Sequence, residues 1–116
     1  MTVTIWHNPR CSKSRQTLEL LKMNGVTPPI REYLNEPPTK AEIEKLIELV
    51  GGDPAELIRD GEAAFKALKK KKSDLSKADI AKAIAAAPIL LQRPVVVAGK
   101  QAMIGRPPEA VLAILK

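Results

Sequence analysis

Residues 6–19 read WHNPRCSKSRQTLE, and the rest of the chain is organised around them because they hold its only cysteine. Ahead of this stretch, residues 3–6 (VTIW) have the pattern of a short apolar strand, and Asn8-Pro9 are turn formers. Behind it, Leu18, Leu21 and Lys22 recur at helical spacing. Cys11 thus falls between a strand and a helix N-terminus, among backbone N–H groups that lack intrahelical partners. Such groups favour an anion, either a thiolate or a bound oxyanion. Arg10, Lys13 and Arg15 add positive charge close by. Surroundings of this kind bring a thiol pKa from about 8.5 down to roughly 3.5–7.5. A lone cysteine is more often a small buried hydrophobe. Here the flanking charge and the proline turn argue against burial in an apolar core and for a nucleophile.

Outward from this loop, residues 2–6 read as a central strand, and Ser12 or Ser14 is placed to cap the helix that runs to Asn24-Gly25. Pro28-Pro29 open a second extended stretch, 30–34, which completes a βαβ unit. Thr39 and Glu42 fit a capping box at the head of a helix over 40–50, and Gly51-Gly52 end it. Residues 53–87 read as three short helices and no strand. The first starts at Asp53-Pro54 and ends near Arg59, the second covers 62–70 and the third 76–86. VVVAG from Val95 reads as a strand buried on both faces, and Gly99-Lys100 turns it into a hairpin with residues 101–104. A last helix is expected over 108–115. The predicted class is α/β, a single domain over 1–116 with a βαβ…ββα order and a helical insertion between the halves. That is the plan of the thioredoxin-like fold, in which a cis proline opening the third strand lies opposite the cysteine loop. Pro94 stands where that proline belongs.

Composition narrows the function. With 116 residues, 45% of them hydrophobic and 28% charged, the chain is that of an ordinary globular domain. No signal peptide is read at its start, and no apolar run approaches the ~20 residues of a membrane span. A lone cysteine excludes an intramolecular disulfide, so the protein is expected to be cytoplasmic and to take any second thiol from outside. The net charge of +6 includes a lysine run at 69–72. Too few aromatics accompany it for base stacking, and no zinc or recognition-helix signature appears, so it reads as a solvated loop and not as a nucleic-acid site. The overall charge does help to attract a small anion. Neither a metal site nor a bound cofactor is expected.

Three arginines stand at joints between elements: Arg59 before Gly61, Arg93 before Pro94, and Arg106 between Gly105 and Pro107. Isolated arginines are usually surface residues. Arg93 and Arg106 bracket the hairpin, however, and a fold that sets Pro94 beside Cys11 brings Arg93 there too. Guanidinium groups are planar, always charged and suited to tetrahedral oxyanions.

HNPRCSKSR, LIRDGE, QRPVVV and IGRPPE, in this order through nearly the whole chain, resemble the glutaredoxin-dependent arsenate reductases. The resemblance implies Cys11 as nucleophile and Arg59, Arg93 and Arg106 as the oxyanion-binding, thiolate-stabilising set. His7, Asn8, Ser14 and Arg15 match loop positions that shape the thiolate's surroundings, with His7 acting either as a base or in orienting the loop. It further implies attack of Cys11 on arsenate, a second thiol from glutathione as co-substrate, and regeneration by glutaredoxin. Reductases built like low-molecular-weight phosphatases need Cys-x5-Arg, whereas residue 17 here is Thr. The chain departs from arsenical-resistance enzymes at Arg10 and at Ser12-Lys13, where those usually carry smaller residues. Two alternatives stand beside this reading. A redox-sensing transcription regulator that binds RNA polymerase typically has Cys-x-x-Cys, but Ser14 occupies the second position. A generic thiol transferase needs no arginine triad.

Overall fold

Strand β1 (Val3–Trp6) is an inner strand of a four-stranded sheet, with residues 30–31 on one side of it and residues 95–98, then 101–104, on the other. The computed structural model describes residues 3–115, so Thr2 at the head of the expected strand and the ends of the expected 1–116 domain lie outside the described residues. These residues fall into two compact units, one made of the segments up to Glu36 and from Arg93 onward, the other of Pro37–Gln92.

In the first unit, β1 leads through helix α1 (Ser12–Met23) to the parallel strand β2 (Ile30–Arg31). On its other side β1 pairs antiparallel with β3 (Val95–Ala98), which turns into β4 (Gln101–Ile104). Gly99 has φ 61°, the conformation that the first central position of a tight II′ hairpin turn demands. This is the expected βαβ…ββα plan. Strand β2 stops at Arg31, short of the expected 34, because Asn35 and Glu36 both donate backbone N–H bonds to the Glu32 carbonyl and curl the chain into a turn. Up to that point it is held by a cross-strand pair, the Arg31 guanidinium lying 4.8 Å from the centre of the Trp6 ring.

Ile5, Leu21, Val96, Ala98, Val111 and Ile114 form the core of this unit. The segment Pro108–Ile114 supplies two of them as a 3₁₀ helix, not the α-helix expected over 108–115. Its buried residues, Pro108, Val111 and Ile114, are spaced by three. A helix of three residues per turn puts all of them on one line, which a 3.6-residue turn would not.

In the second unit, helix α2 (Lys40–Val50) has the expected capping box between Thr39 and Glu42 and ends at Gly51, φ 75°. The helix expected from Asp53 to Arg59 is a single 3₁₀ turn, Pro54–Leu57. Ile58 leaves it extended to form an isolated antiparallel bridge with Leu91, so this region does contain β pairing. The helix expected over 62–70 shrinks to α3 (Ala63–Lys66). Phe65 is the only residue α3 buries, and beyond it consecutive lysines repel at helical spacing. Lys69 ends the segment with φ 54°. Helix α4 (Lys77–Ala86) follows as expected, with Ser76 and Asp79 as its capping box.

Leu21 is fully buried between the sheet and the final 3₁₀ segment. Leu21→Ala is expected to destabilise the protein by about 2–5 kcal/mol, read as a lowered urea midpoint with little change of slope.

Candidate active site

Cys11 itself occupies the N-cap of α1, with φ −95° and ψ 123°. The loop before it dictates this. Cys11 N–H donates to the Asn8 carbonyl at 3.0 Å, Arg10 N–H to Asn8 Oδ1 at 3.0 Å, and Arg15 N–H to the Cys11 carbonyl at 3.0 Å as the first helical bond. The Arg15 guanidinium reaches back to the Pro9 carbonyl at 2.8 Å. Ser14, one of the two expected caps, is instead fully buried. Its Oγ lies 2.6 Å from His7 Nδ1 and accepts the Asn8 N–H at 3.0 Å. His7, Asn8, Ser14 and Arg15 are therefore joined in one hydrogen-bonded loop around Cys11.

The cysteine is buried, with 9% of its surface accessible, which corrects the expectation drawn from its charged neighbours. Those neighbours point outward, Arg10, Lys13 and Arg15 being exposed, while the cap position turns Cys11 inward. Burial pushes the thiol up. The Ser14 backbone amide, the Arg93 charge, the Lys13 backbone amide and the Arg106 charge outweigh it and hold the pKa below its ordinary value. For His7, burial lowers the pKa; Glu32 opposes this, Arg15 and Lys22 add to it, and the net shift is downward. The imidazole is thus neutral at neutral pH.

The two arginines reach the site through the hairpin. The Arg93–Pro94 bond is cis, as expected of the proline opening β3, and so is Arg106–Pro107, which the sequence reading missed. Gly105 N–H donates to the Pro94 carbonyl at 2.9 Å, and Arg106 Nη1 donates to the Arg93 carbonyl at 3.1 Å. A Cβ on Gly105 would stand 2.7 Å from Thr17 Oγ1 and 2.8 Å from Pro94 Cγ. Only glycine lets the hairpin end approach α1 this closely. Thr17 is fully buried, its hydroxyl donating to the Lys13 carbonyl at 2.8 Å. Thr17 and Gly105 are positioning residues that local sequence pattern did not single out.

Arg59 belongs to the second unit, where its guanidinium pairs with Glu62 at 2.7 Å and donates to the Ile89 carbonyl at 3.3 Å. Its role toward Cys11 rests on the resemblance alone. Among the described residues no group of three or more His, Cys, Asp or Glu side chains could hold a metal ion. Nor is any helix among them long and apolar enough to cross a membrane.

The ArsC family model matches residues 6–114, a span that covers both units. The chain belongs to the ArsC family. An arsenate reductase of Haemophilus influenzae is 42% identical over 116 residues, 99% of this chain and 100% of that one. Protein YfgD of Escherichia coli, described as uncharacterised, is 47% identical over 114 residues, 97% of this chain and 96% of that one. The solved structure of an arsenate reductase from Vibrio cholerae superposes with a TM-score of 0.92 at 42% identity, covering 99% of this chain and 98% of that one. The likeness establishes the thioredoxin-like ArsC fold for this member.

Three variants probe the geometry of this ArsC-family site. Removing a positive neighbour destabilises the thiolate, so Arg93→Ala and Arg106→Ala are each expected to shift the pH profile of Cys11 alkylation by iodoacetamide upward, Arg93→Ala by more. Gly105→Ala forces contact with Thr17 and Pro94 and is expected to cost about 1–3 kcal/mol in chemical denaturation.

Proposed function

We propose that this protein reduces arsenate to arsenite through a covalent bond between Cys11 and arsenic, with glutathione and glutaredoxin returning the cysteine to its thiol. One observation carries the reading. The depressed thiol shares its surroundings with Arg93, whose buried Nε has no hydrogen-bond partner among the described residues. A buried charged donor without a partner is costly, and a tetrahedral oxyanion beside the thiolate would satisfy it.

The chemistry follows from these groups. The Cys11 sulfur attacks arsenic, and one arsenate oxygen leaves as water after taking up protons. The Arg93 and Arg106 charges hold the oxyanion and offset its repulsion of the thiolate. A glutathione thiolate then attacks the Cys11 sulfur, forming the S–S bond of a mixed disulfide. The sulfur–arsenic electron pair passes to arsenic, which falls from the pentavalent to the trivalent state and leaves as arsenite. Glutaredoxin takes the glutathionyl group, and further glutathione restores the thiols. Two thiols thus supply the two electrons, one from Cys11 and one from outside. Neutral His7, held against Ser14, orients the loop in this scheme.

Turnover is measured as NADPH oxidation coupled through glutathione reductase, glutathione and glutaredoxin, with arsenate as substrate. Wild type is expected to turn over, and omission of glutaredoxin is expected to slow it by at least tenfold. Cys11→Ser is expected to lose activity while keeping a native far-UV spectrum. Activity of Cys11→Ser within a few-fold of wild type would falsify the nucleophile assignment.

A further inference from the structure

His7, Asn8 and Arg10, just ahead of Cys11, form one wall of a surface cavity of about 320 Å³. Glu32, Leu34 and Asn35, in the turn that ends β2, form the facing wall. The volume lies at the lower end of small-molecule sites, roughly 300–1,000 Å³. Its lining carries both signs of charge. Arg10 is exposed and has no ion pair among the described residues. Glu32 is also exposed, and one of its carboxylate oxygens accepts a bond from Asn35 Nδ2 at 3.3 Å. Leu34 adds an apolar surface, being 41% exposed. The steps assigned to arsenate use none of these side chains except His7.

A simple anion would meet Arg10 but be repelled by Glu32, and a simple cation would meet the reverse. A small zwitterion with amide groups between its charged ends satisfies both, and offers its amides to Asn8 and Asn35. We propose that this cavity binds free glutathione, the resolving thiol, with a carboxylate on Arg10 and the α-ammonium on Glu32. Cys11 does not itself line the cavity, but the lining includes Arg10, the residue directly before it in the chain, and an extended tripeptide of about 10 Å anchored on Arg10 is long enough to reach past that one residue. This assignment rests on the glutathione-dependent reading above. It gives Arg10, the departure from arsenical-resistance enzymes noted in the sequence, a role in choosing the thiol instead of the oxyanion.

S-methylglutathione cannot form a disulfide, so it reports binding apart from chemistry. In a ¹H–¹⁵N NMR titration of the full chain, saturable shifts are expected at the amides of Asn8, Arg10, Glu32 and Asn35. Arg10→Ala is expected to weaken binding about five- to tenfold, the loss of one exposed charge-assisted contact. N-acetyl-S-methylglutathione, which lacks the ammonium, is expected to bind wild type several-fold more weakly, and Glu32→Gln no differently from the parent ligand. In the coupled assay Arg10→Ala is expected to raise the glutathione KM by a like factor while the pH profile of Cys11 alkylation stays in place. Shifts confined to other residues, or a glutathione KM within twofold of wild type, would overturn the assignment. If wild type failed to turn over arsenate, the reductase reading would fall, and the titration alone would decide whether the cavity takes the tripeptide.

Discussion

The loop that carries the cysteine depends on one buried hydroxyl. Ser14 Oγ accepts the Asn8 N–H and lies against His7 Nδ1, so it ties the first turn of α1 back to the residues that follow β1. With Asn8 held in this way, its carbonyl receives the Cys11 N–H and its side chain the Arg10 N–H. The helix can then begin only at Cys11. Loss of the Ser14 hydroxyl would leave buried polar groups of His7 and Asn8 unsatisfied, at about 1–3 kcal/mol each. The serine earns its burial by geometry, since neither its propensity nor its size recommends it for a core.

Cap position and burial make opposing demands on the sulfur. An N-cap side chain faces free amides, which favour negative charge; burial in protein disfavours it. Amides alone do not decide the balance. Arg93 and Arg106 are brought in by the hairpin, whose ends are locked by the Gly105–Pro94 hydrogen bond and the Arg106 bond to the Arg93 carbonyl. The approach of that hairpin to Thr17 needs the missing side chain of Gly105. Gly105, with no side chain of its own, thus helps to set where the neighbouring Arg106 charge sits. The sheet acts on the chemistry by fixing where positive charge sits.

What the sequence made legible was local. A thiol between a strand and a helix, a proline opening β3, a Gly-Lys hairpin and a Thr-x-x-Glu capping box each announce themselves within a few residues, and each is present. Ser12 and Ser14 are equally good caps by type, and only the contact with His7, seven residues upstream, separates their roles. Residues 108, 111 and 114 suit an α-helix or a 3₁₀ helix by pattern, and packing selects the second. The α3 helix stops at Lys66, short of the expected 70, because the lysines after Phe65 have high helix propensity but no buried face to hold them. The sequence groups Arg59 with Arg93 and Arg106 by its place at a joint; within its own unit it pairs with Glu62 and donates to the Ile89 carbonyl, contacts that no local pattern announces.

The neutral state of His7 bears on how the proposed reaction starts. An imidazole that must accept the cysteine proton in each cycle would tie the reaction to its own titration. Here fixed amides and arginines, and not the imidazole, oppose burial and lower the thiol's pKa, while the imidazole is held by the loop. A thiolate stabilised in this way is a weaker nucleophile than a basic one, but a lowered pKa makes a larger fraction of it available at a given pH. The same charges ease departure of the Cys11 sulfur when the mixed disulfide is resolved, because a low-pKa thiolate is the better leaving group. With no second cysteine in the chain, the proposed reaction takes its resolving sulfur from outside the protein.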